Sequence, residues 1–267
     1  MKVAIVIRSA ISRLLFYVDQ FLEWNKSSVV VLCYHSFESS GNRYSVSPKI
    51  FEKQIKEIAK YSDFISLPEL TRYLDGPTPT KSKVLITIDD GYASTRSILP
   101  ILRKYKVPVV LFLLAHPKNA VRSELDTNED LLTWPMVKGL ISEGFTIGSH
   151  SSTHKNFSTI KSTDESFEIA HSKRYIEDKI KAKISSFAFP KGLYKQRHSK
   201  LLKKSGYALA FTTESGLVTP KTNPLLIPRT IIDKTHSASD FPAIYSRSWL
   251  RFRTLTNKLQ LWEKFLS

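Results

Sequence analysis

The chain has 267 residues, of which 42% are hydrophobic and 24% are charged, and its formal net charge is +16. This length and apolar content predict one domain with a substantial core and exclude a disordered chain. The only cysteine, Cys33, excludes an intramolecular disulfide framework. The positive charge is compatible with anionic lipid, glycan or nucleic acid as a partner.

The first predicted element is an amphipathic helix at the N-terminus. Apolar residues recur at helical spacing across residues 3–24, where Arg8 and Arg13 interrupt them. The longest uncharged stretch, Leu14–Val18, is too short for a transmembrane helix or a signal-peptide core. We therefore expect residues 1–28 to form a separate helix, and we expect a cytoplasmic protein that contacts the membrane, if at all, from its surface.

Strands and helices alternate through the centre of the chain, which we expect to form one domain over residues 29–235. Apolar runs predict strands at 29–33, 84–88, 145–149 and 184–189, and helical patterns lie at 50–60, 95–106, 134–142, 164–181 and 195–205. This alternation predicts βαβ units and a parallel sheet. In a parallel barrel, polar residues at the carboxyl ends of the strands converge on one face and are typical of an active site.

Two adjacent carboxylates, Asp89 and Asp90, end the second strand run just before Gly91. Carboxylates that are adjacent and partly buried repel each other, so a proton, a cation or a metal must neutralise one of them. The alternative is a pair of solvated acids that opens a turn. Because two further runs end on histidines, His35 and His150, the residue types favour a metal site.

A second signal is the interval between His150 and His154, which are four positions apart. On a helical turn, this interval puts both rings on one face, where they can bind a single ion. With one carboxylate, two histidines form a ligand set that suits zinc with an open position for water, and it also suits non-haem iron. Taken alone, such a pair is more often accidental in a chain with seven histidines.

Together these motifs resemble those of the NodB-type polysaccharide deacetylases, which form carbohydrate esterase family 4. The matching segments are Thr87–Gly91, Ser149–His154, Tyr34–Ser36, Ser45–Pro48 with Phe51, Ile65–Leu67, Leu99–Leu102 and Leu132–Trp134, and they span roughly residues 29–232 in order. The resemblance implies a distorted (β/α) barrel with fewer strands than the eight of the regular form. It also implies a metal-dependent hydrolase that removes an N-acetyl group from an amino sugar in a polysaccharide or a lipid-linked glycan.

The resemblance assigns a role to each motif residue. It makes Asp90, His150 and His154 the ligands of one divalent metal, which we expect to be zinc, with Ni²⁺, Co²⁺ or Fe²⁺ as alternatives. It makes Asp89 the catalytic base, and a weak base suffices because a bound divalent ion lowers the pKa of its water to about 7. In the branch that includes poly-N-acetylglucosamine deacetylases, the motif order looks circularly permuted, and His35 stands where that branch has its general acid. The alternative for His35 is a buried histidine satisfied by the backbone.

The third family motif, Arg-x-Pro followed by an aromatic residue, departs from the family pattern in this chain. Its counterpart is Ala188–Gly192, which lacks both the arginine and the aromatic residue. Arg229 is the expected substitute that orients Asp89 through charged hydrogen bonds, and the alternative is an ordinary surface arginine. The backbone N–H of Lys191 would occupy the oxyanion-hole position of the family. The Asp-x-x-Asp-Trp motif of the family has no clear counterpart.

Residues 236–267 lie beyond the resemblance, and we expect a basic, aromatic helix over 245–266. Rings and cations on one amphipathic helix fit a membrane interface, where the rings lie among headgroups and the cations meet anionic lipid. The alternative is that both terminal helices pack on the barrel.

Two other classes of function are compatible with the sequence. One is a pseudoenzyme of the same fold that binds glycan without turnover, and the missing arginine supports it. The other is a nucleic-acid-binding protein, which rests on charge alone and lacks a recognisable motif. We therefore expect an N-acetylated glycan as the partner and no nucleic acid.

Overall fold

The structure is a computed structural model, and it describes residues 2–22, 29–39, 42–76, 80–120, 125, 129–237, 241–244 and 246–258. Its strands are β1 (Val29–Tyr34), β2 (Asp63–Phe64), β3 (Lys83–Ile88), β4 (Val109–Leu113), β5 (Thr146–Ser149), β6 (Ser186–Ala188), β7 (Leu209–Phe211) and β8 (Thr230–Ile231). Its α-helices are α1 (Lys2–Phe21), α2 (Pro48–Tyr61), α3 (Leu67–Leu74), α4 (Leu99–Tyr105), α5 (Trp134–Ser142), α6 (Ser162–Ser166), α7 (Ser172–Ile180), α8 (Arg197–Lys204), α9 (Phe241–Ile244) and α10 (Arg247–Lys258). A π-helical segment, Phe167–His171, joins α6 to α7.

The strands form one parallel sheet with helices between them. The strand order is β7-β6-β5-β4-β3-β1-β8, and the short β2 pairs with the start of β3. The two ends of this order approach each other, because Phe211 at the end of β7 forms a parallel bridge with Ile227, just before β8. The distorted (β/α) barrel predicted from the sequence is therefore confirmed.

The central strands β1, β3 and β4 are apolar at most positions because both faces of the sheet are covered. Leu32 and Ile86 belong to one buried cluster, whereas Val31 and Leu85 belong to another. Successive residues of a strand point to opposite faces, so these two clusters lie on opposite sides of the sheet. Parallel strands covered on both faces have this kind of continuous apolar sequence.

Several predicted elements match the observed ones, and others differ. The predicted helix at 134–142 coincides with α5, and the predicted helix at 164–181 is divided by the π-helical segment. The pattern at 95–106 is a 3₁₀ segment, Ala93–Ile98, followed by α4. Strand β4 was not predicted, because its apolar run ends without a charged residue and is too short to distinguish from a buried helix by periodicity.

The terminal helices pack against each other and against the barrel. Phe16 of α1 is buried in the main core, and its ring centre lies 5.5 Å from that of Tyr61 in an edge-to-face arrangement. The buried carboxylate of Asp19 accepts hydrogen bonds from Ser246 Oγ at 2.6 Å and from the Ser248 N–H at 2.9 Å, at the start of α10. Part of each terminal helix therefore packs on the barrel, which was the alternative to a membrane role. The division at residues 28 and 235 stays a prediction.

The predicted C-terminal helix extends beyond what is described, because residues 245 and 259–266 lie outside the described residues. Within the described part, Trp249 is buried rather than presented to a membrane. Across the described ranges, no helix has the length and apolar character needed to span a bilayer.

Candidate active site

A tight turn after β3 presents the two carboxylates. The N–H of Asp89 still donates to Tyr34 O at 2.9 Å, so Asp89 continues the pairing with β1. Asp90 and Gly91 then adopt left-handed backbone angles, with φ values of 68° and 79°. The φ of Gly91 is one that residues with a Cβ rarely adopt, and a Cβ there would also lie 2.6 Å from Leu113 Cδ2, so this position favours glycine. Left-handed non-glycine residues such as Asp90 are strained, and strain of this kind clusters at functional sites.

Asp89 is held by a bidentate ion pair. Arg229 Nη1 donates to Asp89 Oδ1 and Nη2 donates to Oδ2, both at 2.7 Å. Burial alone raises the pKa of the Asp89 carboxyl, but the Arg229 charge and its hydrogen bonds outweigh burial and lower the pKa below its ordinary value. Asp89 is therefore ionised and fixed in orientation.

Arg229 is completely buried, so the alternative of a surface arginine is wrong. Its Nε donates to Thr212 O at 3.0 Å and its Nη1 donates to Thr87 Oγ1 at 3.1 Å. The guanidinium also lies 5.5 Å from the ring centre of Phe112, within the range of a cation–π interaction. Arg229 directly precedes β8 in the chain.

Asp90, His150 and His154 converge on one point. Asp90 Oδ1 lies 3.3 Å from His150 Nε2 and 3.3 Å from His154 Nε2. His150 Nδ1 lies 2.9 Å from Ala188 O, and a carbonyl only accepts, so Nδ1 carries a proton and a neutral ring has its lone pair on Nε2. Asp90 Oδ1 is buried and has no hydrogen-bond partner in the described structure. Acceptor atoms that face each other in this way need a proton or a cation between them.

The two carboxylates favour positive charge at the same point. Burial raises the pKa of Asp90, but the charges and close approach of His154 and His150 lower it well below the ordinary value. Burial lowers the pKa of His150, but Asp89 and Asp90 raise it above the ordinary value. One carboxylate and two imidazoles are a ligand set for a divalent ion such as zinc. The residues present therefore fit a divalent metal, whose identity the geometry leaves open.

The two histidines meet through a loop and not through the helical turn expected from their spacing. Residues 150–154 have no helical assignment, and Ser151 and His154 have left-handed φ values of 73° and 63°. A loop with two such residues reverses direction sharply enough to aim both rings at Asp90. The spacing predicted that the two rings meet, and they do so through a tight loop, which an interval of four residues also closes.

His35 lies on the Asp89 side of the site. One ligand atom from each of Cys33, His35 and Asp89 lies within 4.8 Å of the others. His35 Nδ1 is buried and has no hydrogen-bond partner in the described structure, so the backbone does not satisfy it. The ring centre lies 5.2 Å from that of Tyr44.

Cys33 is a site residue that the sequence analysis missed. Its Sγ lies 3.4 Å from Asp89 Oδ2. Burial raises the pKa of the Cys33 thiol well above its ordinary value, and the charge of Asp89 raises it further although Arg229 opposes this. The protonated thiol therefore donates to Asp89. Its position two residues before His35 in β1, on the same face, is the sequence signal that could have identified it.

A nearby cleft is larger than the space around the charged cluster. The cleft has a volume of about 680 Å³ and is lined by residues that include His116, Trp134 and Tyr175. A cavity of about 10 Å³ that touches Asp90 shares Trp134 with it. Asp89, His150 and His154 do not line the cleft, so the buried charges and not the cavity volume locate the chemistry.

The chain is similar in sequence to known proteins. The sequence profile of the family described as polysaccharide deacetylase matches residues 76–210. A poly-β-1,6-N-acetyl-D-glucosamine N-deacetylase of Staphylococcus aureus is 27% identical over 237 residues, which cover 79% of this chain and 81% of the relative.

Two solved structures share the fold. IcaB from Ammonifex degensii has a TM-score of 0.72 at 22% identity, over 83% of this chain and 97% of IcaB. The deacetylase PplD of Streptococcus pyogenes has a TM-score of 0.68 at 21% identity, over 80% of this chain and 96% of PplD. At these identities the two structures establish the likeness of the fold alone.

Proposed function

Because this chain belongs to the polysaccharide deacetylase family, we propose that it removes the N-acetyl group from an amino sugar in a polysaccharide or a lipid-linked glycan. One observation carries the proposal: Asp89, fixed by Arg229, is the chain neighbour of Asp90, whose Oδ1 lies 3.3 Å from two imidazole nitrogens. The polymer in the name of the Staphylococcus aureus relative, poly-β-1,6-N-acetylglucosamine, is the first substrate to test.

Asp90, His150 and His154 would hold a divalent ion, with zinc as the first candidate and Ni²⁺, Co²⁺ or Fe²⁺ as alternatives. When bound, such an ion acidifies water and polarises a carbonyl oxygen. Asp89 accepts a proton from the water that attacks the amide carbon, and Arg229 keeps Asp89 ionised and aimed. The backbone N–H of Lys191 is proposed as a hydrogen-bond donor to the oxygen that gains charge.

His35 completes the proposed reaction by donating a proton to the leaving amine as the C–N bond breaks. The products are then acetate and a free amino sugar. This role would place the chain in the branch with an N-terminal Tyr-His-Ser motif. The buried, unpartnered Nδ1 of His35 near Asp89 supports it.

A pseudoenzyme of the same fold is the less favoured alternative. Its main support is the missing arginine of the third motif, and Arg229 supplies a bidentate guanidinium to Asp89 from another part of the chain. An inactive protein would have no need to keep an ionised aspartate buried beside a ligand set for a metal.

Peripheral membrane contact is a second proposal, and the exposed side chains of α1 favour it. Leu14, Tyr17 and Phe21 are 65%, 68% and 87% exposed. Rings and aliphatic groups of this kind insert at a lipid surface. An anionic lipid surface would also attract the net charge of +16. Co-sedimentation with anionic liposomes tests it: Phe21→Ser should weaken binding, and equal binding would contradict a contact through α1. A cytoplasmic location stays a prediction, which cell fractionation tests.

The experiment that tests the proposed function is acetate release from a panel of N-acetylated substrates. Protein reconstituted with one equivalent of Zn²⁺ is incubated with poly-β-1,6-N-acetylglucosamine, chitin oligosaccharides and lipid-linked N-acetyl sugars. We expect acetate release from at least one of them, and Asp89→Asn serves as the matched control with an intact ligand set. Wild-type release no faster than that of Asp89→Asn on every substrate would contradict the proposal.

A further inference from the structure

A buried carboxylate lies behind the loop that carries the two histidines. Glu168, in the π-helical segment between α6 and α7, is completely buried. Its Oε2 accepts hydrogen bonds from the N–H groups of Ser152 and Thr153, both at 2.9 Å. Its Oε1 accepts from Thr153 Oγ1 at 2.6 Å. All these donors belong to the three residues that separate His150 from His154.

The same loop is fixed on other sides. Ser152 Oγ donates to Phe167 O at 2.7 Å, so the residue before Glu168 also holds the loop. The N–H groups of Ala115 and His116, which follow β4, donate to Ser151 O and Ser152 O at 3.0 and 2.9 Å. Of these contacts, Glu168 alone supplies a charged acceptor, and charged acceptors form hydrogen bonds roughly twice as strong as neutral ones.

The local helix geometry also points to Glu168. The helix is α-helical before Phe167 and again from Ser172, and only the five residues between have π-helical bonding. A π-helical turn contains an extra residue, which changes the direction of the side chains that follow and is frequent at functional sites. Glu168, within this turn, faces the loop. Glu165, the preceding carboxylate along the same helix, pairs instead with Arg197 and His198.

We propose that Glu168 is a positioning residue for the metal site: it holds Ser152 and Thr153 so that Nε2 of His150 and Nε2 of His154 both lie 3.3 Å from Asp90 Oδ1. The proposal rests on the assignment of these three residues as ligands under the proposed function. Glu168 touches neither substrate nor ion. It acts by restricting a loop whose two left-handed residues would otherwise relax and separate the rings.

The test is a Co²⁺ titration of metal-free protein, followed by the visible absorption of the bound ion. Co²⁺ reports its own coordination geometry, so the measurement needs no turnover. Glu168→Ala should weaken Co²⁺ binding by about 10- to 100-fold, as expected when a group that orients a metal ligand is lost. It should also change the absorption spectrum, because the two rings no longer hold one geometry.

Glu168→Gln is the conservative rescue. Its amide oxygen can accept from both backbone N–H groups, and its amide nitrogen can donate to Thr153 Oγ1. It should restore the wild-type spectrum and most of the affinity that Glu168→Ala loses. Glu165→Ala is the matched control, because it removes a buried carboxylate three residues away whose partners, Arg197 and His198, lie outside the loop. It should lower thermal stability and leave Co²⁺ affinity and spectrum unchanged.

A merely structural role predicts a different pattern, in which Glu168→Ala lowers the melting temperature as Glu165→Ala does and keeps the wild-type Co²⁺ affinity. That result would overturn the proposal. If Glu168→Ala does not fold, Thr153→Val removes one hydrogen bond with little change of volume and should weaken Co²⁺ binding about fivefold. Unchanged affinity in that variant would overturn the proposal as well. Failure of the proposed function is distinguishable, because it would appear as absent acetate release by wild-type protein that binds Co²⁺ normally.

Discussion

Asp89 and Asp90 are neighbours in the chain and equally buried, yet the structure treats them in opposite ways. On the β1 and β8 side of the turn, both oxygens of Asp89 accept from Arg229, and Cys33 adds a third donor. On the β5 side, Asp90 Oδ1 faces two imidazole nitrogens without a hydrogen bond. Both oxygens of Asp89 therefore have hydrogen-bond donors within the protein. Asp90 Oδ1 has none among the described residues and is free to bind a cation.

The difference explains how one dipeptide can supply two functions. A carboxylate with its oxygens fixed by a guanidinium is ionised and oriented, as a general base must be. A carboxylate that shares a point with two imidazoles is suited to hold a cation. At the turn where Asp90 has a left-handed φ, the Asp89 side chain pairs with Arg229 and the Asp90 side chain faces the two histidines.

The largest effect is expected on the Asp90 side. His154→Ala removes one of three ligands, so bound Zn²⁺ should be lost and acetate release should fall by more than about 10⁴-fold, since metal chemistry and base catalysis fail together. Elemental analysis and acetate assays on the same preparation measure both quantities. Zn²⁺ binding equal to that of the wild type would exclude His154 from the ligand set.

On the Asp89 side, the expected effect is on rate alone. Asp89→Asn should keep the bound ion and reduce acetate release by about 10²- to 10⁴-fold, the usual cost of losing a general base. Loss of the ion in this variant would mean that Asp89 and Asp90 share the ligand role.

A smaller effect should follow from removing the partner of Asp89. Arg229→Met should reduce kcat by about 10- to 100-fold, because Arg229 acts on the orientation of Asp89 and not on the substrate. The sign of the pH effect follows from the pKa: Arg229 lowers the pKa of Asp89, so its loss raises that pKa and moves the acidic limb of the kcat/KM profile to higher pH. A profile that keeps its acidic limb in place would show that another group controls it.

The smallest effect is expected at a carboxylate outside the site. Asp233 Oδ1 accepts from the Thr235 N–H at 2.9 Å and lies 2.9 Å from His236 Nδ1. Burial raises the pKa of Asp233, but the His236 hydrogen bond and charge, with the bonds from Thr235, lower it far below the ordinary value. A carboxyl with a depressed folded pKa adds stability above its unfolded pKa of about 3.9, and this stability is lost as pH falls towards the folded pKa.

Asp233→Asn should therefore lower the free energy of unfolding at pH 7 by roughly 2 kcal/mol and leave Zn²⁺ binding unchanged. The difference from the wild type should shrink as the pH falls below about 4, which urea denaturation at several pH values measures. A difference that is constant with pH would show that the ionised form contributes nothing.

The parts of the site that follow strand ends could be predicted from the sequence. Asp89, His35 and His150 each follow an apolar run, and the carboxyl ends of parallel strands share one edge. Helix α5 was predictable because Thr133 and Pro135 mark its start in the ordinary way, as an N-cap type and an early proline.

The remaining features depend on contacts between distant parts of the chain. Arg229 reaches Asp89 across 140 positions, and no local pattern distinguishes a buried arginine from a surface one. The π-helical segment around Glu168 has the apolar spacing of an ordinary helix, so its extra residue is visible only in three dimensions. Cys33 had a local signal, its position in β1 two residues before His35, but its polar role depends on Asp89.

The division of labour between the two aspartates is the central claim, and zinc content tests it most directly. Asp89→Asn and Asp90→Asn are reconstituted side by side with excess Zn²⁺, freed of unbound ion and analysed for metal and protein. The structure predicts about one ion per chain in Asp89→Asn and less than about 0.2 in Asp90→Asn, since one ligand of three is damaged only in the second. Equal zinc content in the two variants, whether high or low, would contradict the assignment.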